Sequence, residues 1–284
     1  YIKNNLKLTK PNFSFLKGSA AFYIIQLLYG FFNEYSKVIQ ANLFNYESVS
    51  LLAIALLFAQ IIILVSQNIA NVSMPAIAKA FMSNNIEKVG AIFKDLSRLT
   101  ALFIIPIYAF LYFNSSFILS LLGKDYVKGT LMVKLTLTSA LIGSLVGPNG
   151  SVLLMTNKSN YEIVNSILKI VVFLLILFSF GKNIFWGLAL CISASEIFVN
   201  VLKSIEVYHL HKLLPYNKKE GFYVLFVLFL SVLTFYVTSV FVTGILNKII
   251  VNGFLLSMGL FFSFHFSPIK TDRVLIRKIL KIRT

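Results

Sequence analysis

Acidic residues are scarce in this chain, and so are the residue types that do most enzymatic and metal chemistry. Of 284 residues only 10 are Asp or Glu, 3 are His, one is Cys and one is Trp. The single cysteine, Cys191, excludes an internal disulfide framework, and its setting in an apolar run gives it no metal-ligating company. His209 and His211 form an isolated pair in a stretch expected to be a basic loop, and a zinc site asks for more ligands than that. The sequence contains no glycine-rich phosphate loop, no Ser/His/Asp set and no cluster of metal ligands, so no cofactor and no enzymatic activity are expected. Charged residues make up 13%, against about 25% in soluble domains. Strict apolar/polar alternation is also missing, which excludes the short strands of a membrane barrel.

What fills the space is hydrocarbon. Hydrophobic residues reach 58%, above the about 45–50% of soluble chains. A helix crossing the membrane core needs about 20 apolar residues. Eight segments meet that length, at 18–37, 50–75, 99–122, 131–156, 161–180, 184–203, 222–242 and 245–266. The fold class is therefore all-α, a polytopic membrane protein of about eight spans. It divides into a basic flank at 1–17, a six-helix bundle at 18–214, two further spans within 215–266 and a basic tail at 267–284. Between the second and third spans lies an amphipathic link at 79–98. Ile86, Val89, Ile92, Phe93, Leu96 and Leu99 form one helical stripe there, with Lys88, Lys94, Asp95 and Arg98 off it. Such a link either lies in the membrane interface or connects two spans with a solvated face. Asn84 followed by Glu87 predicts its start.

The net charge of +16 suits nucleic acid in a soluble protein, but here it follows from basic loops on one side of a membrane, and no nucleic-acid partner is expected. Nineteen of the 26 lysines and arginines fall on the side of both termini and five on the other, which predicts cytoplasmic termini. The chain opens on Tyr1, and its basic start runs straight into a full-length span, as expected of a piece of a longer protein rather than a signal peptide.

Several residues break the apolar pattern. Pro106 interrupts the third span and Pro148 the fourth, so both are helix-kink candidates, and broken helices often border transport cavities. Lys169 and Lys134 lie within spans, where a cation is costly and points to a polar path. Lys134 is near enough to an end to snorkel. Glu34 and Lys37, three residues apart, share a helix face near the outer surface. Lys169 and Glu196 lie 13 and 14 residues either side of Lys182. Both are thus about 20 Å from the turn, at depths within about 2 Å of each other. They are expected to face each other or one polar cavity.

In order and texture the chain resembles a known family. Pro75-Ala76-Ile77-Ala78-Lys79 closes a span, and Ile105-Pro106-Ile107 follows the link. Next come Ile118-Leu119-Ser120-Leu121-Leu122-Gly123-Lys124-Asp125-Tyr126, then Gly147-Pro148-Asn149-Gly150 with Leu153-Leu154-Met155-Thr156-Asn157-Lys158 behind it. Gly181 and Trp186-Gly187-Leu188-Ala189 mark the next hairpin. Over 15–214 this resembles the C-terminal half of a polysaccharide or O-antigen flippase of the Wzx type, in the multidrug/oligosaccharidyl-lipid/polysaccharide exporter superfamily. The resemblance implies about fourteen helices in two bundles, of which this chain supplies the last eight and lacks the first bundle as a partner. It implies translocation of an undecaprenyl-diphosphate-linked oligosaccharide across a bacterial cytoplasmic membrane, with membrane lipid and that substrate as partners. Lys169, Glu196, Lys134, Glu34 and Lys37 are the substrate or cavity candidates. Two other readings stay open. An ion-coupled multidrug exporter of the same superfamily would use acidic residues such as Glu34 and Glu196. A membrane-embedded polymerase or ligase would normally carry a large outer loop with Arg, His or Asp.

Overall fold

The computed structural model describes residues 13–44, 46–179, 181–242, 244–265 and 267; side chains are described in α1 from Tyr23 onward apart from 26, 29 and 31–33, and in α9 apart from 246. Residues 13–17 of the basic flank expected at 1–17 belong to α1; the rest of that flank, and the tail expected at 267–284 apart from 267, lie outside the described residues. Among the described residues nine α-helices follow one another: α1 (Phe13–Leu43), α2 (Tyr46–Met82), α3 (Ile86–Leu122), α4 (Thr130–Leu145), α5 (Asn149–Met155), α6 (Ser159–Ser179), α7 (Gly187–His211), α8 (Lys218–Phe241) and α9 (Ile245–His265). Short 3-10 turns at Lys124–Gly129 and Gly181–Asn183 join α3 to α4 and α6 to α7. The protein is a helical, polytopic membrane protein. Among the described residues six helices (α2, α3, α6, α7, α8 and α9) are long and apolar enough to cross a membrane, or seven if the bent α4–α5 pair counts as one. The span expected at 18–37 falls in α1, where too few residues are described for the same comparison.

Three boundaries differ from the sequence reading, each for a local reason. The second span does not end at Pro75. α2 continues through it to Met82, because the motif that breaks the chain is Ser83-Asn84-Asn85, where Asn84 takes a left-handed φ of 54°. The cap of α3 is then Asn85, whose side chain accepts from the Lys88 amide at 2.9 Å, one residue beyond the expected start. Nor is the amphipathic link a separate interfacial helix. It is the first third of α3, which runs unbroken through Pro106 to Leu122. Its stripe of Val89, Phe93 and Leu96 is buried against Ile77 of α2, Val152 and Leu153 of α5 and Val207 of α7, forming a small second core at the basic end.

Pro148 behaves as expected. The fourth span breaks at Val146–Pro148 and its two parts diverge by 46°. Gly147 makes the elbow possible with a φ of 88°, and a Cβ there would also overlap Ser97 Oγ. Proline ends the ladder of α4, leaving the Leu145 carbonyl without a helical donor. The Tyr216 hydroxyl, reaching in from the α7–α8 link, donates to it at 2.6 Å.

The main core lies where α2, α3, α4, α7 and α8 meet, with Leu52, Ile62, Leu102, Ile105, Leu137 and Leu188 wholly buried. α2 packs on α3 and α4, α4 on α7, and α7 on α6, while α8 and α9 pack on α3. α1 lies against α2 and α6. This order places the α6–α7 hairpin at one side of the bundle, backed by the α4–α5 elbow.

Candidate functional site

The α6–α7 hairpin turns tightly because two glycines meet. A Cβ on Gly187 would overlap the Gly181 carbonyl, and one on Gly181 would overlap Cys191 Sγ. From that turn the helices run back antiparallel, and each presents a polar face to the other. On α6 the face is Glu162, Asn165, Ser166 and Lys169, spaced i, i+3, i+4, i+7, and all four are buried. On α7 it is Glu196, Asn200, Lys203 and Glu206.

These residues pair as rungs. Lys169 Nζ lies 2.5 Å from Glu196 Oε2, so the expectation from matched depth is met as geometry. Seven residues farther along both helices, about 10 Å away, Lys203 Nζ lies 2.8 Å from Glu162 Oε2. Asn200 donates to Glu196 Oε1 at 2.9 Å, and Asn165 donates to Glu206 Oε2 at 2.6 Å. The Glu162–Lys203 rung is the more deeply buried, with side chains 3% and 7% exposed, while Glu196 keeps 27%. A lone charge at the membrane centre costs about 2.5–3.5 kcal/mol on insertion scales. Alternating acid and base on facing helices lets each charge meet its opposite with no net charge left in the two ionic rungs.

The elbow closes the ladder from behind. Asn149 donates to Ser204 Oγ at 2.8 Å and to the Val146 carbonyl at 3.1 Å. Gly150 gives the Glu162 carboxylate its room, since a Cβ there would sit 2.6 Å from Oε1. Glu162 Oε1 and Asn165 Oδ1 accept no hydrogen bond from a described residue, though both are buried. His211 belongs to the last turn of α7 rather than to a loop, and its Nε2 meets Thr156 Oγ1 at 3.0 Å. Among the described residues no group of three His, Cys, Asp or Glu is placed to hold a metal.

The other singled-out residues stand apart from the ladder. Lys134 Nζ lies over the Tyr112 ring, 5.2 Å from its centroid. Glu34 and Lys37 pair at 3.0 Å on an exposed face of α1. Pro106 lies in the middle of α3, buried in the core.

A second buried ion pair escaped the sequence reading. Arg98, 2% exposed, bridges Glu220 Oε1 of α8 and Asp95 Oδ1 of its own helix, each at 3.0 Å. Glu220 also caps α8 by accepting from the Asn217 amide at 2.9 Å. Burial, and to a lesser degree the Glu220 charge, push the Tyr216 phenol well above its ordinary range. Arg98 and Lys203 both belong to the nineteen cations that the sequence assigns to the side of the termini, but the structure buries both in ion pairs within the bundle. The charge bias therefore rests on seventeen residues rather than nineteen. No protein-family model matches this chain, and no curated protein matches it.

Proposed function

We propose that this chain is the C-terminal bundle of a transporter that moves a lipid-linked oligosaccharide, carried on undecaprenyl diphosphate, across a bacterial cytoplasmic membrane. The observation that carries the reading is the charge ladder of Glu162, Lys169, Glu196 and Lys203 inside a membrane bundle, next to a broken helix. Purely structural membrane cores need neither, and paired intramembrane charges commonly accompany polar substrate paths. The order of motifs from Pro75 to Ala189 adds the family. The carboxylates that an ion-coupled multidrug exporter would draw on, Glu34 and Glu196, are both engaged in ion pairs, which favours the saccharide reading. A polymerase or ligase draws on a long outer loop, whereas α3 reaches Leu122 and leaves only the turn at Lys124–Gly129. The missing partner is the first bundle of the same protein, against which this one rocks.

The test is complementation of a strain that lacks its own flippase. The full-length gene should restore surface polysaccharide, and residues 1–284 alone should not. Failure of the full-length gene with every matching saccharide pathway would defeat the assignment, and success of the fragment alone would defeat the two-bundle reading. Orientation is tested by cysteines at Asp125 and Asn217, with labelling from outside expected only at the first. Asn114, inside α3, is buried and bonded to Asn252 at 3.0 Å, so it cannot report.

A further inference from the structure

The outward faces of most spans are what lipid requires. α6 exposes Val164, Ile167 and Val171, and α8 exposes Phe222, Phe229 and Leu233. α2 departs from this. Its outward stripe begins with Leu57, Ile61 and Leu64, then changes to Gln67, Asn68 and Asn71, and reaches Pro75. The three amides fall within little more than one turn, all exposed, and none hydrogen-bonds a described residue. Elsewhere on the six qualifying spans, the exposed amide side chains among the described residues are Asn160 and Asn247, both in the first turn of a helix, where headgroups and water are at hand. Three amides that no described residue bonds, inside an otherwise apolar stripe, are poorly suited to lipid tails, which offer no hydrogen-bond partner.

We propose that Gln67, Asn68 and Asn71 form a hydrated surface that binds the hydroxyl groups of a saccharide head, with Lys79 meeting its phosphate. The assignment rests on the function proposed above and gives that substrate a docking surface distinct from the ladder. A primary amide offers two donors and an acceptor that takes two bonds, which matches neighbouring sugar hydroxyls and adds no charge. Lys79 follows Asn71 by two steps of four residues through Pro75, about 12 Å along the same helix. It is exposed and makes no ion pair with a described residue, so it is available to a diphosphate. The amides lie in the half of α2 nearer the basic end, where a head entering from the leaflet on that side first meets the bundle. A packed helix of another bundle is a poorer match, because three amides in one turn would each need a polar partner on that helix.

Cys191 is the only cysteine of this chain and is wholly buried, which suits single-cysteine labelling. Q67C, N68C and N71C are introduced one at a time into the full-length protein, with any cysteine outside this chain replaced by serine. The variants are reconstituted in phosphatidylethanolamine/phosphatidylglycerol vesicles and treated with a charged maleimide applied to both faces, beside V164C, I167C and V171C of α6. The α2 positions should react about tenfold faster or more than the α6 positions, since a charged reagent enters hydrocarbon poorly. A short-chain isoprenyl diphosphate bearing N-acetylglucosamine should slow that reaction about tenfold, and K79A should remove most of the protection. Reaction no faster than on α6 overturns the proposal, whether lipid or another helix covers the stripe. Fast reaction that the glycolipid leaves unchanged overturns it as well, leaving a water path without a saccharide site. Protection in a protein that restores no export would sink the transport reading and keep the surface. Export with an unprotected stripe would do the reverse.

Discussion

Removing one member of the Glu162–Lys203 rung tests whether the ladder stabilises the bundle as a set of pairs. Lys203→Met keeps the length of the stem and deletes the charge. It leaves a carboxylate 3% exposed, with one oxygen already unpartnered among the described residues. Breaking a buried pair from one side costs about 3–5 kcal/mol, and the loss should fall in that range. Lys169→Met should cost less, about 2–3 kcal/mol, because Glu196 is 27% exposed and keeps the hydrogen bond from Asn200. Glu162→Gln combined with Lys203→Met removes both charges of the deeper rung. The double variant should recover about 2–3 kcal/mol relative to the sum of the singles. The exchange Glu162→Lys with Lys203→Glu restores the rung in reverse and should recover part of the stability. The assay is reversible unfolding in mixed micelles as the denaturing detergent is raised, read by the single Trp186. Additivity within about 0.5 kcal/mol for the Glu162–Lys203 cycle would refute the pairwise account, as would a Lys203→Met variant as stable as the parent.

Two further outcomes follow from the turns and caps. Gly187→Ala should prevent the α6–α7 hairpin from closing, because its Cβ would overlap the Gly181 carbonyl; loss of the folded fraction on size-exclusion chromatography reads this, while the more open Gly253→Ala should leave the profile unchanged. Tyr216→Phe removes the donor to Leu145 and should cost about 1–3 kcal/mol. The raised phenol also gives the link a pH signature: its stabilisation is complete below the ordinary phenol value of about 10 and falls as pH rises above that toward the folded-state value. The variant should lose that alkaline dependence when unfolding is followed across the same pH range.

The parts of the fold set by length and period were legible in the sequence, and the parts set by azimuth were not. Span positions followed from apolar run length, and the Lys169–Glu196 contact from counting out of one tight turn. The Glu162–Lys203 rung obeys the same arithmetic, since each residue is seven positions from the first pair. Lys203 closes the apolar run 184–203, where a cation is indistinguishable from the first residue of a basic loop, so the sequence does not single it out. Arg98 was misplaced for a related reason. On a helical wheel it lies off the apolar stripe of α3, and no sequence pattern announces that α8 would deliver Glu220 to that face. The long α3 was split in two because its first third carries charges, although backbone hydrogen bonding continues through it. The elbow at Pro148 was visible as a motif, but the tyrosine that satisfies its free carbonyl comes from about 70 residues away.

The ladder also constrains how the protein is made. Glu162 and Lys169 leave the ribosome before Lys203 and Glu196, and the two partners of the deeper rung are about 40 residues apart in the chain. At about 5–20 residues per second, Glu162 leaves the ribosome about 2–8 s before its partner Lys203 does. During that interval α6 carries two unmatched charges that disfavour its release into lipid. Its natural course is to remain in the insertion machinery until α7 arrives and the hairpin enters with both ionic rungs matched. Slowing translation while the segment between Ser179 and Gly187 is leaving the ribosome would lengthen that wait without altering any residue of the finished protein.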